Sequence, residues 1–195
     1  MKTVPIREIA NIRTGYTFRE PTASKETSEV LGLHIRDIRD STVIDPDRLS
    51  SIVWQGKDEL PALQPGEVVF AAKGNYNRAA LFLDQERKVI PSNQFLVLSV
   101  KMEDCLAPEF LCWILNYPAT QRRMAEFQSG TSIFSISKKA LGALSIPLPP
   151  MQIQKQILHL DALLEQERLV TEAVLANREK QVQGAVQQLL SGAVQ

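Results

Sequence analysis

Two rhythms of hydrophobic and polar residues divide this chain. From Val30 to Val100 the apolar residues come in short runs, at Val30–Ile35, Val68–Phe70, Ala79–Leu83, Lys88–Ile90 and Phe95–Val100, separated by Gly, Pro, Asn or Asp. Runs of that length with that punctuation predict β-strands joined by turns. From Met151 to Leu190 the apolar residues recur instead at steps of three and four, with no proline between them, which predicts one long helix.

Shorter signals fill in the rest. Pro5 to Ala10 reads as a short helix with Pro5 near its first position. Ile12 to Phe18 mixes strand formers with Gly15 and predicts a strand broken by a turn, while Glu20 to Glu29, polar and carrying Pro21, predicts a loop. Asp37, Asp40-Ser41 and Asp45-Pro46-Asp47 mark turns, and Pro65-Gly66 supplies a tight one ahead of Val68-Val69-Phe70. Asp84-Gln85-Glu86-Arg87 reads as a hairpin turn. A helix starting near Pro108 turns Phe110, Leu111, Ile114 and Leu115 inward and ends at Tyr117-Pro118; a second, over Ala119–Phe127, exposes Gln121, Arg122 and Arg123. Gln128–Ser132 is a turn, Ser137 an N-cap for Lys138-Lys139-Ala140-Leu141, and Leu144–Leu148 a strand. The expected fold class is α+β, a domain over residues 1–148 with a mixed twisted sheet and short helices, followed by a long C-terminal helix over 149–195.

In the long segment Ile153, Ile157, Leu160 and Leu164 follow at steps of four, three and four, a narrow stripe flanked by Gln, Lys and Glu. That is the pattern of a coiled-coil seam. The stripe loosens where the same register meets Glu167 and Thr171, and apolar spacing resumes at Val174, Val182, Val186 and Leu189. About 40 residues of helix extend roughly 60 Å, longer than a domain of this size is wide. Gly184 weakens such a helix on its own by about 1 kcal/mol relative to alanine. The narrow stripe favours docking against a second long helix over folding back on a core.

Composition narrows the function classes. Of 195 residues 44% are hydrophobic, ample for a real core, and 22 basic residues balance 22 acidic ones. The chain is therefore not a polycation that binds nucleic acid by bulk charge; such a role needs a local basic surface. Cys105 and Cys112, seven residues apart beside an apolar helical stretch, read as buried reduced thiols on one helix face. The N-terminus has no apolar secretory core and no apolar run approaches 18 residues, so a cytoplasmic protein without a membrane span is expected.

Lys73-Gly74-Asn75-Tyr76-Asn77-Arg78 is the most chemically loaded stretch. It places a cation, a glycine, two amides, an aromatic ring and a guanidinium between two strands, the groups that contact phosphates and base edges. A solvated hairpin loop has the same composition. Catalytic motifs are missing: there is no Gly-rich nucleoside-cofactor loop and no phosphate loop of the G-x-x-x-x-G-K-[ST] kind. Asn116-Tyr117-Pro118 is partly like the adenine-binding tetrapeptide of amino-methyltransferases but lacks its full pattern and lies at a helix end. Asp47 with Glu86-Arg87-Lys88 reads better as turns than as a nuclease signature. His34 and His159 support neither a metal site nor a triad.

The order of motifs resembles the specificity subunit of type I restriction-modification systems. The residues that carry the resemblance begin with Ile6-Arg7-Glu8-Ile9-Ala10 leading to Gly15, then Leu63-Gln64-Pro65-Gly66-Glu67-Val68-Val69-Phe70 with the polar loop behind it. They continue with Gln128-Ser129-Gly130-Thr131, Ile136-Ser137-Lys138-Lys139-Ala140-Leu141, and Ile146-Pro147-Leu148-Pro149-Pro150 ahead of Gln152-Ile153-Gln154-Lys155-Gln156-Ile157. The last segment is the most specific, and the resemblance covers nearly the whole chain.

In that family a target recognition domain reads half of a split DNA sequence, and long helices pair as an antiparallel coiled coil that separates two such domains. The usual chain has two of each, whereas this one has one of each. The resemblance thus implies a half-subunit that dimerises through its helix to bind double-stranded DNA. It also implies that catalysis lies elsewhere, in a methyltransferase subunit using S-adenosylmethionine on adenine and an ATP- and Mg-dependent restriction subunit, with no cofactor in this chain. First choices for DNA contact are Lys73, Asn75, Tyr76, Asn77 and Arg78; second choices are Arg36, Arg39, Thr131, Ser132 and Lys138. An alternative is an orphan or degenerate specificity fragment, a helix-mediated protein-binding adaptor without DNA readout. The two differ in whether the Lys73–Arg78 loop shares a face with Arg36, Arg39 and Lys138.

Overall fold

The computed structural model describes residues 3–18, 30–54, 60–74, 77–126 and 135–192. The expected loop at Glu20–Glu29, the expected turn at Gln128–Ser132, and the candidates Asn75, Tyr76, Thr131 and Ser132 lie outside the described residues. The chain divides into two units, Met1–Gln154 and Lys155–Gln195.

Among the described residues of the first unit the strand-forming runs sort into three sheets. Strand β1 (Thr3–Pro5) leads directly into helix α1 (Ile6–Ile9), and β2 (Ala10–Thr14) follows. β3 (Val30–Leu33) runs into a 3-10 turn at Ile35–Ile38, one residue earlier than the apolar run suggests, because the Asp37 carboxylate accepts the His34 N–H at 2.8 Å. β4 (Ser50–Ile52), β5 (Val68–Ala71), β6 (Ala79–Leu81), β7 (Lys88–Pro91) and β8 (Phe95–Val100) complete the central part. Helices α2 (Pro108–Asn116), α3 (Pro118–Ala125) and α4 (Lys138–Ala143) precede β9 (Ser145–Pro147). β1 pairs with β9, which ties the beginning of the unit to its end. β2-β8-β5-β6 form an antiparallel sheet, and β4-β3-β7 form a mixed one in which β3 runs parallel to β7.

This is an α+β arrangement, with the mixed pairing confined to one sheet of three. One expectation is overturned. Asp84–Arg87 turns the chain, its Asp84 carboxylate accepting the N–H groups of Glu86 and Arg87 at 2.8 and 2.6 Å, but it closes no hairpin. β6 belongs to the antiparallel sheet and β7 to the mixed one. The short-range signal reports a turn; the strand's partner is chosen by residues far away in sequence.

The core forms because β5 is buried at all four positions. Val69 and Ala71 join Val97, Phe95, Ala80, Phe82 and Leu33 in one cluster, and α2 packs on β5 and β6 with Phe110, Leu111, Ile114 and Leu115 buried, as their helical spacing predicts. Gly15 lies where a Cβ would sit 2.0 Å from the Ser92 carbonyl oxygen, so only glycine fits. A buried carboxylate also has its place: Glu67 receives Arg13 Nη2 at 2.6 Å, Ser99 Oγ at 2.7 Å and the Gln64 N–H at 3.0 Å.

Two side-chain expectations change. Cys105 lies in a turn and is exposed, whereas Cys112 on α2 is buried. Burial pushes the Cys112 thiol up to about 12, with Arg78 opposing and Glu109 adding to the shift. Gln121 on α3 is half-buried rather than exposed, donating to the carbonyls of Asn77 and Leu115, both at 2.6 Å. Ser137 caps α4 as expected, its hydroxyl accepting the Ala140 N–H at 3.1 Å.

The long helix α5 spans Met151–Gly192. Its fourth residue, Gln154, is completely buried within the first unit. It donates to the carbonyls of Cys105 and Pro149 at 2.7 and 2.8 Å and accepts the Ala107 N–H at 3.0 Å. The second unit is this helix; Ile157 is half-buried, and from Leu160 onward the seam side chains are open to solvent, from 46% at Val174 to 74% at Leu189. Arg168 bridges Glu165 and Glu172 along its surface and holds the Glu165 carboxyl below its usual range.

Candidate nucleic-acid interface

The β5-β6 hairpin carries the first group of candidates. Its ends are closed by the Ala71 N–H bonding the Arg78 carbonyl at 2.8 Å and by the Asn77 amide donating to the Ala71 carbonyl at 2.9 Å. Asn77 is buried, so it shapes the loop from within instead of facing a ligand. Gly74 adopts φ 103°, a conformation that side chains disfavour. Lys73 is exposed and its backbone bridges Ser135 antiparallel. Arg78 is half-buried and reaches the Arg39 carbonyl with Nη1 at 2.7 Å.

Those two contacts join three segments remote in sequence. Arg78 meets the end of the turn bearing Arg36 and Arg39; Lys73 meets Ser135, in the segment that leads into α4 and Lys138. Ser135 and Lys138 are three residues apart, so the chain allows them at most about 10 Å of separation. The segments that carry the described members of the sequence-predicted set are thus neighbours, with Asn77 buried among them. They are not equal. Arg36 is ion-paired with Asp37 at 3.5 Å and Arg39 is followed by Asp40, so the 36–40 turn carries no net charge of its own and only Arg78 adds one there.

A cluster of positive charge lies at a cleft that the sequence signals missed. A cleft of about 590 Å³ is lined by Arg7, Ala10, Asn11, Ile12, Lys101, Lys138, Lys139 and Gly142. Four of these eight are cations and none is a carboxylate, on a chain whose net charge is zero. β2 and α1 supply one wall and α4 another, while Lys101 enters at the end of β8 and donates to the Arg7 carbonyl at 2.6 Å. Facing cations with no intervening acid raise the local potential and concentrate phosphate there. The Lys138-Lys139 doublet was visible in the sequence, but its convergence with Arg7 and Lys101 depends on the fold.

The residues that partly match catalytic motifs have structural partners. Asn116 clamps the start of β6, accepting the Ala79 N–H and donating to the Ala79 carbonyl, both at 2.9 Å. Asp47 is paired with Arg87 at 2.9 Å on the exposed surface. Among the described residues, no group of three or more His, Cys, Asp or Glu side chains is arranged to hold a metal ion.

Residues 1–168 match the model of the type I restriction modification DNA specificity domain. The chain belongs to that family. The fold of this specificity domain is shared with solved S subunits at low identity. A type I restriction-modification S subunit from M. genitalium aligns with TM-score 0.57 at 13% identity, over 85% of this chain and 39% of that one. The HsdS subunit from Thermoanaerobacter tengcongensis gives 0.62 at 21%, over 88% and 39%. A chain from a structure on complex assembly and conformational transition of the type I R-M system gives 0.65 at 20%, over 88% and 40%. The specificity domain described here thus spans about 40% of the length of those chains. No curated protein matches it. No helix among its described residues is long and apolar enough to cross a membrane.

Proposed function

We propose that this chain is a non-catalytic recognition subunit of a type I restriction-modification system, which reads one half of a split double-stranded DNA target. In this reading the base-directed groups come from the Lys73–Arg78 hairpin, and the phosphates are held by Arg7, Lys101, Lys138 and Lys139. The carrying observation is the acid-free cationic cleft, linked through Lys138 and Ser135 to the hairpin, on a chain without net charge. Phosphate contacts fix position and orientation on the duplex while base contacts choose the sequence. A division between a cleft and a hairpin suits both tasks.

The chemistry then belongs to partners: a methyltransferase subunit that carries S-adenosylmethionine and flips the target adenine, and a restriction subunit that uses ATP and Mg. Two copies pair through α5, so that two half-sites are read together with two-fold symmetry. The test is co-expression with a type I methyltransferase subunit from the same source, followed by base-resolved mapping of adenine methylation on host DNA. The expected result is a split palindromic motif that disappears without this chain. Absence of new methylation, with both proteins folded and the methyltransferase active, would sink the reading and favour a helix-mediated adaptor.

A further inference from the structure

The exposed face of α5 holds two charges that the helix itself leaves unanswered. Projected at about 100° per residue, Leu163, Val174 and Ala185 fall on one flank of the apolar arc and Leu164, Leu175 and Val186 on the other. Each of these sets repeats every eleven residues, so the stripe does not break near Glu167 but changes from a seven-residue to an eleven-residue period. An eleven-residue repeat keeps a helix pair straight or slightly right-handed, where a heptad would supercoil it to the left. In the middle of the arc lie Glu167, Thr171 and Arg178.

Glu167 and Arg178 differ from the other charges of this helix. Arg168 is satisfied on its own chain by Glu165 and Glu172, at three and four residues' distance. Glu167 has Leu164, Leu163, Val170 and Thr171 at those distances, and Arg178 has Leu175, Val174, Gln181 and Val182. Neither has an opposite charge within helical reach. Any partner that covers the apolar arc also covers these two charges, and a charge taken out of water without a counter-charge opposes association. The partner must therefore offer a cation at Glu167 and an anion at Arg178.

We infer that the partner is a second copy of this chain, lying antiparallel on α5 in the single register that sets each Glu167 opposite Arg178 of the other copy. This deepens the pairing in the reading above and rests on it. A parallel pair in register sets Glu167 against Glu167 and Arg178 against Arg178. A parallel pair slipped by eleven residues forms one ion pair but leaves the remaining Arg178 against Leu189 and the remaining Glu167 against Gln156. The antiparallel register forms both ion pairs and sets Leu163 opposite Val182, Leu160 opposite Ala185 and Thr171 opposite Val174. Its two-fold axis passes between Glu172 and Ala173, one residue from the midpoint of a helix running from Met151 to Gly192, so nearly the whole helix is paired. Antiparallel pairing about such an axis is isologous and closes at two copies.

The test uses the full chain and sedimentation equilibrium. Glu167→Arg and Arg178→Glu should each weaken the dimer by at least about tenfold, and the double variant, which restores both opposite-charge pairs, should recover most of that loss. On a Cys105→Ser background, Val174→Cys should cross-link two copies under mild oxidation, because residue 174 lies close to its counterpart across the axis. Leu160→Cys should not, being roughly 37 Å from its own counterpart along the helix. Cross-linking at both positions, or a double variant no tighter than the single ones, overturns the register while leaving pairing intact. A wild-type chain that stays monomeric at tens of micromolar overturns the pairing and the register together.

Discussion

The two units of this chain treat misfit groups in opposite ways. Within Met1–Gln154 the buried Glu67 and Gln154 side chains find partners inside the same unit, and among the described buried side chains only Ser92 Oγ lacks one. Within Lys155–Gln195 the side chains that ought to leave water remain in it, Leu160, Leu164, Val182 and Leu189 all being more than half exposed. The first unit's sequence is answered by its own fold, as a buried polar group requires. The second unit's stripe is written for a surface on another helix, which accounts for its narrowness and for charges that find no partner at helical spacing.

That contrast can be broken most severely at Arg13. Arg13→Met leaves the Glu67 carboxylate buried with two hydrogen-bond donors and no counter-charge, and should lower the stability of the full chain by about 3 kcal/mol in urea unfolding followed by tryptophan fluorescence. A loss below about 1 kcal/mol would mean that the pair behaves like a surface ion pair and that the first unit is less self-contained than argued. Leu160→Asp should do the reverse, leaving the urea midpoint of the first unit unchanged while raising the dimer dissociation constant about tenfold or more. If it destabilised the first unit and left the mass in solution unchanged, the seam would be misassigned.

The smallest effect concerns the thiols. At pH 8 a maleimide reagent should label exposed Cys105 quickly and Cys112 only on unfolding, because the buried thiol stays protonated. The sign for stability follows. A thiol whose folded pKa rises from 9.0 to about 12 stabilises fully below pH 9.0, and this contribution is lost as pH climbs toward 12. Equal labelling of both cysteines in the native chain at pH 8 would show that α2 opens locally.

What could be read in the sequence was what is decided over a few residues. The inward face of α2, the Ser137 cap, the turn ahead of β5 and the proline-free run of α5 all depend on neighbours within four positions. The parallel pairing of β3 with β7 and the existence of β4, whose Ser50 and Ser51 carry no apolar alternation, depend on contacts tens of residues away. The candidate interface splits along the same line. Lys73 and Lys138 were visible as polar residues at turns and caps, whereas the burial of Asn77 and the convergence of Arg7, Lys101 and Lys139 required the third dimension.

The closures of the β5-β6 hairpin have a consequence for how such a protein changes over generations. The Lys73 bridge to Ser135 and the Ala71 bond to Arg78 run through the main chain, and the Asn77 amide also grips a main-chain carbonyl. Main-chain bonds do not depend on which side chains the loop displays, apart from Asn77 itself and the glycine that φ at residue 74 demands. The exposed Lys73 side chain can therefore change without loosening these closures. Under the proposed reading, a lineage carrying this scaffold can exchange the groups it offers to DNA while the main-chain closures of the hairpin persist.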